Sequence, residues 1–113
     1  MPYIRTKTNV SIDKAGEIAL KSAFGQAIGL IPGKSERWLM LDFCDNEHMW
    51  FAGEDTPSAM LEVELFGSTS DSVYDLLTAK LTEIVSAQLG VDPSRVYVKY
   101  EEISHWGWNG SNF

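Results

Sequence analysis

Pro2 is the residue whose type and position together suggest chemistry. Excision of Met1, usual ahead of a small residue such as proline, would leave Pro2 as a free secondary amine. An α-amino group titrates near ~8, and burial lowers that value by disfavouring the charged form. Such an amine can be neutral at working pH and accept a proton as a general base. Lys34, immediately after Gly33, supplies a fixed positive charge. By itself a lysine in such a turn reads as a solvated loop charge. One group serving as base and then as acid suits a 1,3-proton transfer, in which the same nitrogen removes a proton and returns it elsewhere. That reaction needs no metal and no organic cofactor.

The remaining reactive side chains point nowhere else. Cys44 is the only cysteine, which excludes a disulfide framework and cysteine-type metal spacing. It reads as a small hydrophobe. His48 and His105 have no partner at metal-ligand spacing, so no metal site is expected. The carboxylates read as a solvated surface without a catalytic pair. Asn109-Gly110-Ser111 fits a glycosylation acceptor but reads as a turn.

The elements that must position Pro2 and Lys34 come from pattern. The 113 residues, 44% of them hydrophobic, fit a single domain over 1–113 with its own core. A net charge of −7 makes nucleic acid and anionic membrane poor partners. No apolar run is long enough to span a bilayer and no signal peptide is evident, so a cytoplasmic protein is expected. Tyr3–Thr8 alternates as a strand, and Ser11 or Asp13 can cap a helix over roughly 13–30. Arg37–Phe43 reads as a strand buried on both faces, and His48–Phe51 as a short strand. Met60–Phe66 is a further strand. A helix capped within Ser68–Asp71 follows and ends at Gly90. Arg95–Tyr100 is the last long strand, and residues 105–110 form a turn or hairpin.

The order is strand, helix, strand, strand, helix, strand, and it repeats. Gly29-Leu30-Ile31-Pro32 and Gly90-Val91-Asp92-Pro93 each end a helix, and each is followed by a basic residue, Lys34 or Arg95. Two βαβ pseudo-repeats, about 1–58 and 59–113, predict an α/β (α+β) fold, a four-stranded sheet with both helices on one face. The apolar Trp38–Phe43 segment then predicts partner subunits covering the other face, in a closed symmetric oligomer.

Several stretches carry a resemblance. They are Met1-Pro2, Thr8-Asn9-Val10, Gly33-Lys34, Phe51-Ala52-Gly53, Asp92-Pro93-Ser94-Arg95-Val96-Tyr97 and the ending Gly107-Trp108-Asn109-Gly110-Ser111-Asn112-Phe113. In order and spacing the chain resembles the macrophage migration inhibitory factor family of the tautomerase superfamily. The resemblance implies a homotrimer with active sites between subunits. It also implies keto–enol tautomerisation of phenylpyruvate-like and dopachrome-like substrates, with an aromatic 2-keto acid as ligand and no cofactor. Some relatives are secreted without a signal peptide and act as cytokines on a cell-surface receptor, which supplies the alternative expectation of a signalling protein with an incidental proline site.

Carried over by that resemblance, Pro2 is the catalytic base and Lys34 contacts the substrate's carboxylate or carbonyl oxygen. The backbone N–H of Phe66 donates to substrate, and Tyr97 comes from the neighbouring subunit. Trp38, Trp106 and Phe113 line the pocket. Departures are as informative. Lys99 replaces an asparagine and shares the face of Tyr97, so it is expected near the pocket mouth. Leu65 replaces a serine, and Trp106 is larger than the usual residue. Ser58 and Leu61 stand where some members have a Cys-x-x-Cys pair, so a thiol-oxidoreductase role does not carry over. Trp50 and Trp108 read as core or interface aromatics.

Overall fold

The computed structural model describes residues 1–113. Strand β1 (Pro2–Thr8) buries Pro2, Ile4, Thr6 and Thr8 and leaves Tyr3, Arg5 and Lys7 half-buried, the alternation that a pleated strand imposes. Helix α1 (Lys14–Ala27) starts at Asp13, whose carboxylate accepts the Gly16 N–H at 2.7 Å. A cap of this kind contributes about 1 kcal/mol. Leu20, Phe24 and Ala27 face inward, and the helix tightens into a 3-10 turn over Ile28–Leu30. β2 (Met40–Cys44) and β3 (Ala59–Phe66) follow. Helix α2 (Asp71–Leu89) is capped by Ser70 and ended by Gly90 at φ 68. β4 (Val96–Ile103) completes the sheet. The tail is a small hairpin of β5 (Gly107–Trp108) and β6 (Ser111–Asn112). Its two-residue loop has Asn109 at φ 51 and Gly110 at φ 88, the positive values that a tight hairpin turn requires.

The sheet order is β2-β1-β3-β4, with β1 parallel to β2, β3 parallel to β4, and β1 antiparallel to β3. Two βαβ units thus meet along their first strands, as the repeat in the sequence predicts. Ile4, Leu61, Val63 and Leu65 of the sheet close against Leu20, Phe24, Leu77, Leu81 and Val85 of the helices, all nearly inaccessible. Each such side chain contributes roughly 1.5–3 kcal/mol.

Two local expectations are corrected. Arg37–Phe43 is not one strand: Glu36–Trp38 forms a 3-10 turn, and the strand starts at Met40. As a sheet edge, β2 sends only Leu41 and Phe43 against the core. His48–Phe51 is not a strand either. The segment is held by a reciprocal turn between Phe51 and Glu54, with hydrogen bonds of 2.9 and 3.1 Å. Arg95 clamps it, donating to the carbonyls of Phe51, Glu54, Thr56 and Pro57 at 2.9–3.2 Å.

The sheet face away from the helices carries a cluster of charges. Arg5 pairs with Asp42 at 3.1 Å, and Glu62 has Arg5, Lys7 and Lys99 at 3.7–3.9 Å. Tyr3 adds a 2.9 Å hydrogen bond to Asp42. Such half-exposed pairs are worth about 0–1 kcal/mol each. The same face also exposes Met40 and Tyr97, at 66% and 58%.

Candidate functional site

The N-terminus of β1 is the centre of the site. Pro2 is buried opposite Leu65, and one step further along β3 the Phe66 N–H donates to the Met1 carbonyl at 3.0 Å. Lys34 reaches the same corner from a turn over Ile31–Lys34. That turn is closed by the Lys34 N–H on the Ile31 carbonyl at 3.0 Å, with Gly33 at φ 81. Pro32 ahead of a glycine with positive φ is the residue pair such a turn needs. The Lys34 Nζ then donates to the Phe66 carbonyl at 2.8 Å. The α-amine of Met1 is pushed down to about 6, first by burial and then by its hydrogen bond to Lys34 and the Lys34 charge. The Met1 amine is therefore mostly neutral near pH 7.

A cleft of about 580 Å³ opens from this corner. Its walls include Met1, Pro2, Tyr3, Trp38, Trp106 and Trp108, with Arg37 and Glu64 as its charged members. The aromatic wall is continuous. Trp38 meets Trp108 edge-on at 5.0 Å between centroids, Trp108 stacks on Phe113 at 6.3 Å, and Phe113 meets Phe66 at 5.7 Å. The tail is tied in by the Phe113 N–H on the Trp106 carbonyl at 3.0 Å. A flat aromatic group can stack in such a cleft beside a neutral amine and a lysine.

Of the sequence-predicted residues, Pro2, Trp38 and Trp106 line the cleft, and Lys34, Phe66 and Phe113 join it through the contacts above. Tyr97 and Lys99 do not. Tyr97 pairs with Met60 and packs on Phe51 at 4.7 Å. Met60 lies five positions from Leu65, the residue opposite Pro2, which is about 17 Å along a strand. Lys99 shares the open face with Tyr97 and pairs with Glu62. Within one chain, neither reaches Pro2.

Sequence reading missed Trp108, Arg37 and Glu64. Trp108 was legible, since Trp106 and Trp108 are two apart in a segment read as a hairpin, a spacing that puts both on one side. Arg37 was not, because it sits in a 3-10 turn that the sequence presents as strand. No three His, Cys, Asp or Glu side chains gather as a metal site would require, and no helix is long and apolar enough to cross a membrane.

Comparison with known proteins adds to this geometry. The family model described as macrophage migration inhibitory factor (MIF) matches residues 1–113. The macrophage migration inhibitory factor of Xenopus laevis is 26% identical over 115 residues, covering 100% of this chain and 99% of that protein. The crystal structure of Leishmania major MIF2 superposes with a TM-score of 0.94 at 32% identity, covering 100% of this chain and 97% of that one. The macrophage migration inhibitory factor homologue of Prochlorococcus marinus superposes at 0.84 with 24% identity, covering 98% of each, a likeness of fold.

Proposed function

The chain belongs to the macrophage migration inhibitory factor family, and from that premise we propose that it is a keto–enol tautomerase whose base is the Pro2 nitrogen, freed by removal of Met1. The observation that carries this reading is the corner where Met1 sits. Its carbonyl occupies the Phe66 N–H, and its amine lies beside Lys34 in surroundings that keep it neutral. Removal of Met1 would free the Phe66 N–H and leave the Pro2 nitrogen as an amine near Lys34, at the end of the cleft that Met1 and Pro2 line. While Met1 is attached, that nitrogen is an amide and has no basicity.

The reaction follows from those groups. The neutral Pro2 nitrogen takes the proton of an enol hydroxyl, whose oxygen pair becomes the carbonyl π bond. The former C=C pair then takes the same proton from Pro2 at carbon. Run in reverse, the carbon-bound proton moves to nitrogen and negative charge builds on oxygen, where Lys34 and the Phe66 N–H stabilise it. The aromatic wall suits phenylpyruvate-like or dopachrome-like acids. The family supports a homotrimer. That assembly would also bring a neighbour's Tyr97, out of reach within one chain, to the Pro2 site. Residence in the cytoplasm, with export independent of a signal peptide, belongs to the same reading.

Phenylpyruvate tautomerisation tests it, using Met1-processed protein, Met1-retaining protein from a host lacking the aminopeptidase, and processed Pro2→Gly. Only the processed wild type should be fully active. Undiminished activity in protein whose intact mass includes Met1 would overturn the mechanism. Light scattering at micromolar concentration should give a mass near three chains, and a monomer would contradict the shared site.

A further inference from the structure

Of the nine lysines and arginines, eight have a partner within the chain. Arg5, Lys7 and Lys99 share Glu62, with Asp42 also on Arg5. Lys14, Lys21 and Lys80 pair with Glu17, Glu36 and Glu83. Lys34 donates to Phe66, and Arg95 spends its donors on four carbonyls. Arg37 alone has neither an ion pair nor a hydrogen bond. Its neighbour Glu36 turns to Lys21, and Glu64, the one carboxylate lining the cleft, makes no pair with it.

Arg37 also lines the cleft, with its guanidinium 5.2 Å from the Trp38 ring centroid. A guanidinium over an aromatic ring is attracted to it without using its N–H donors in hydrogen bonds, and Arg37 makes none within the chain. Those donors match the two oxygens of a carboxylate approaching edge-on. On a chain of charge −7 an unneutralised cation is exceptional, and this one stands at the aromatic wall. Lys34 is already assigned to the oxygens at the reacting end of the substrate.

We propose that Arg37 binds a second carboxylate, carried at the far end of the substrate's aromatic ring, so that the preferred substrates are aromatic 2-keto diacids. This deepens the tautomerase reading and rests on it for the orientation of the substrate. Arg37 is a specificity residue here, with no part in proton transfer.

The test compares processed wild type, Arg37→Gln and Arg37→Lys on phenylpyruvate and on 4-carboxyphenylpyruvate. It is run beside calorimetric binding of the unreactive pair cinnamate and 4-carboxycinnamate. Wild type should favour the diacid of each pair. Arg37→Gln should lose about three- to fivefold in kcat/KM for the diacid, mostly through KM, as expected for one accessible ion pair. The loss on phenylpyruvate should be distinctly smaller than on the diacid, and Arg37→Lys should recover part of the preference. An equal loss on both keto acids, or no loss on either, overturns the proposal. If neither keto acid is turned over, the tautomerase reading fails separately. The cinnamates then decide on Arg37: a diacid preference abolished by Arg37→Gln supports it, and an unchanged one refutes it.

Discussion

Replacing Lys34 by alanine separates two roles that its geometry combines. The Nζ is 2.8 Å from the Phe66 carbonyl, beside the N-terminal amine and next to the Phe66 N–H assigned to substrate oxygen. As a charged donor to developing negative charge it should supply about 2–3 kcal/mol. The plateau of kcat/KM should therefore fall about 30- to 150-fold, with kcat lowered as well as KM raised. The second role is on the base. Lys34 lowers the pKa of the Met1 amine through a hydrogen bond and through its charge, with burial the largest cause, and the same charge would act on a Pro2 amine exposed by processing. The base works when neutral, so activity is lost as pH falls through its pKa. Without Lys34 that pKa rises, and the acid limb of kcat/KM moves to higher pH while staying below ~8, the ordinary value for an α-amine. Initial rates on phenylpyruvate, measured from about pH 5 to about pH 8, read both effects at once. A plateau within about threefold of wild type would refute the charge-stabilising role even if the limb moved. A limb that stayed in place would refute the electrostatic account of the amine.

Two further outcomes are expected. Arg95→Ala removes four hydrogen bonds to the 51–57 segment and the cation over the Phe51 ring. It should lower stability in urea unfolding by about 2–3 kcal/mol and speed amide exchange at Phe51 and Glu54, with Arg95→Lys no better, because an ammonium cannot fork. Lys99→Asn should raise KM for an anionic keto acid by no more than about threefold and leave kcat unchanged, because Glu62 already shares its charge. A tenfold change, taken here as about 1.4 kcal/mol, would mean that Lys99 acts on substrate without that screening.

Much of the architecture was legible because local signals agreed. Asp13, Ser70 and Gly90 bound the helices, and strict alternation in Tyr3–Thr8 and Met60–Phe66 fixed which side chains turn inward. Arg37–Phe43 misled because apolar residues alone do not distinguish a central strand from an edge strand preceded by a turn. The open face is set by Arg5, Lys7, Asp42, Glu62 and Lys99, which lie on four different strands. Only the register brings them together. In the site, Pro2 was suggested by type and position and Lys34 by the resemblance, whereas the solitude of Arg37 depends on where every other charge ends up.

The antiparallel ladder between β1 and β3 relates the two βαβ halves by an approximate twofold rotation. Such an axis produces two equivalent corners, at opposite ends of the same ladder: Pro2 beside Leu65, and Ala59 beside Thr8. Each is attended by the basic residue that follows its own half's helix. Lys34 stands at the first corner, next to the N-terminus. Arg95 stands at the second, with its Nε on the carbonyl of Pro57, just before β3 begins. Covalent continuity alone makes them different. At the second corner the chain runs on, its nitrogens are amides, and the cation grips a linker. At the first, the proposed removal of Met1 would give the same architectural station an amine.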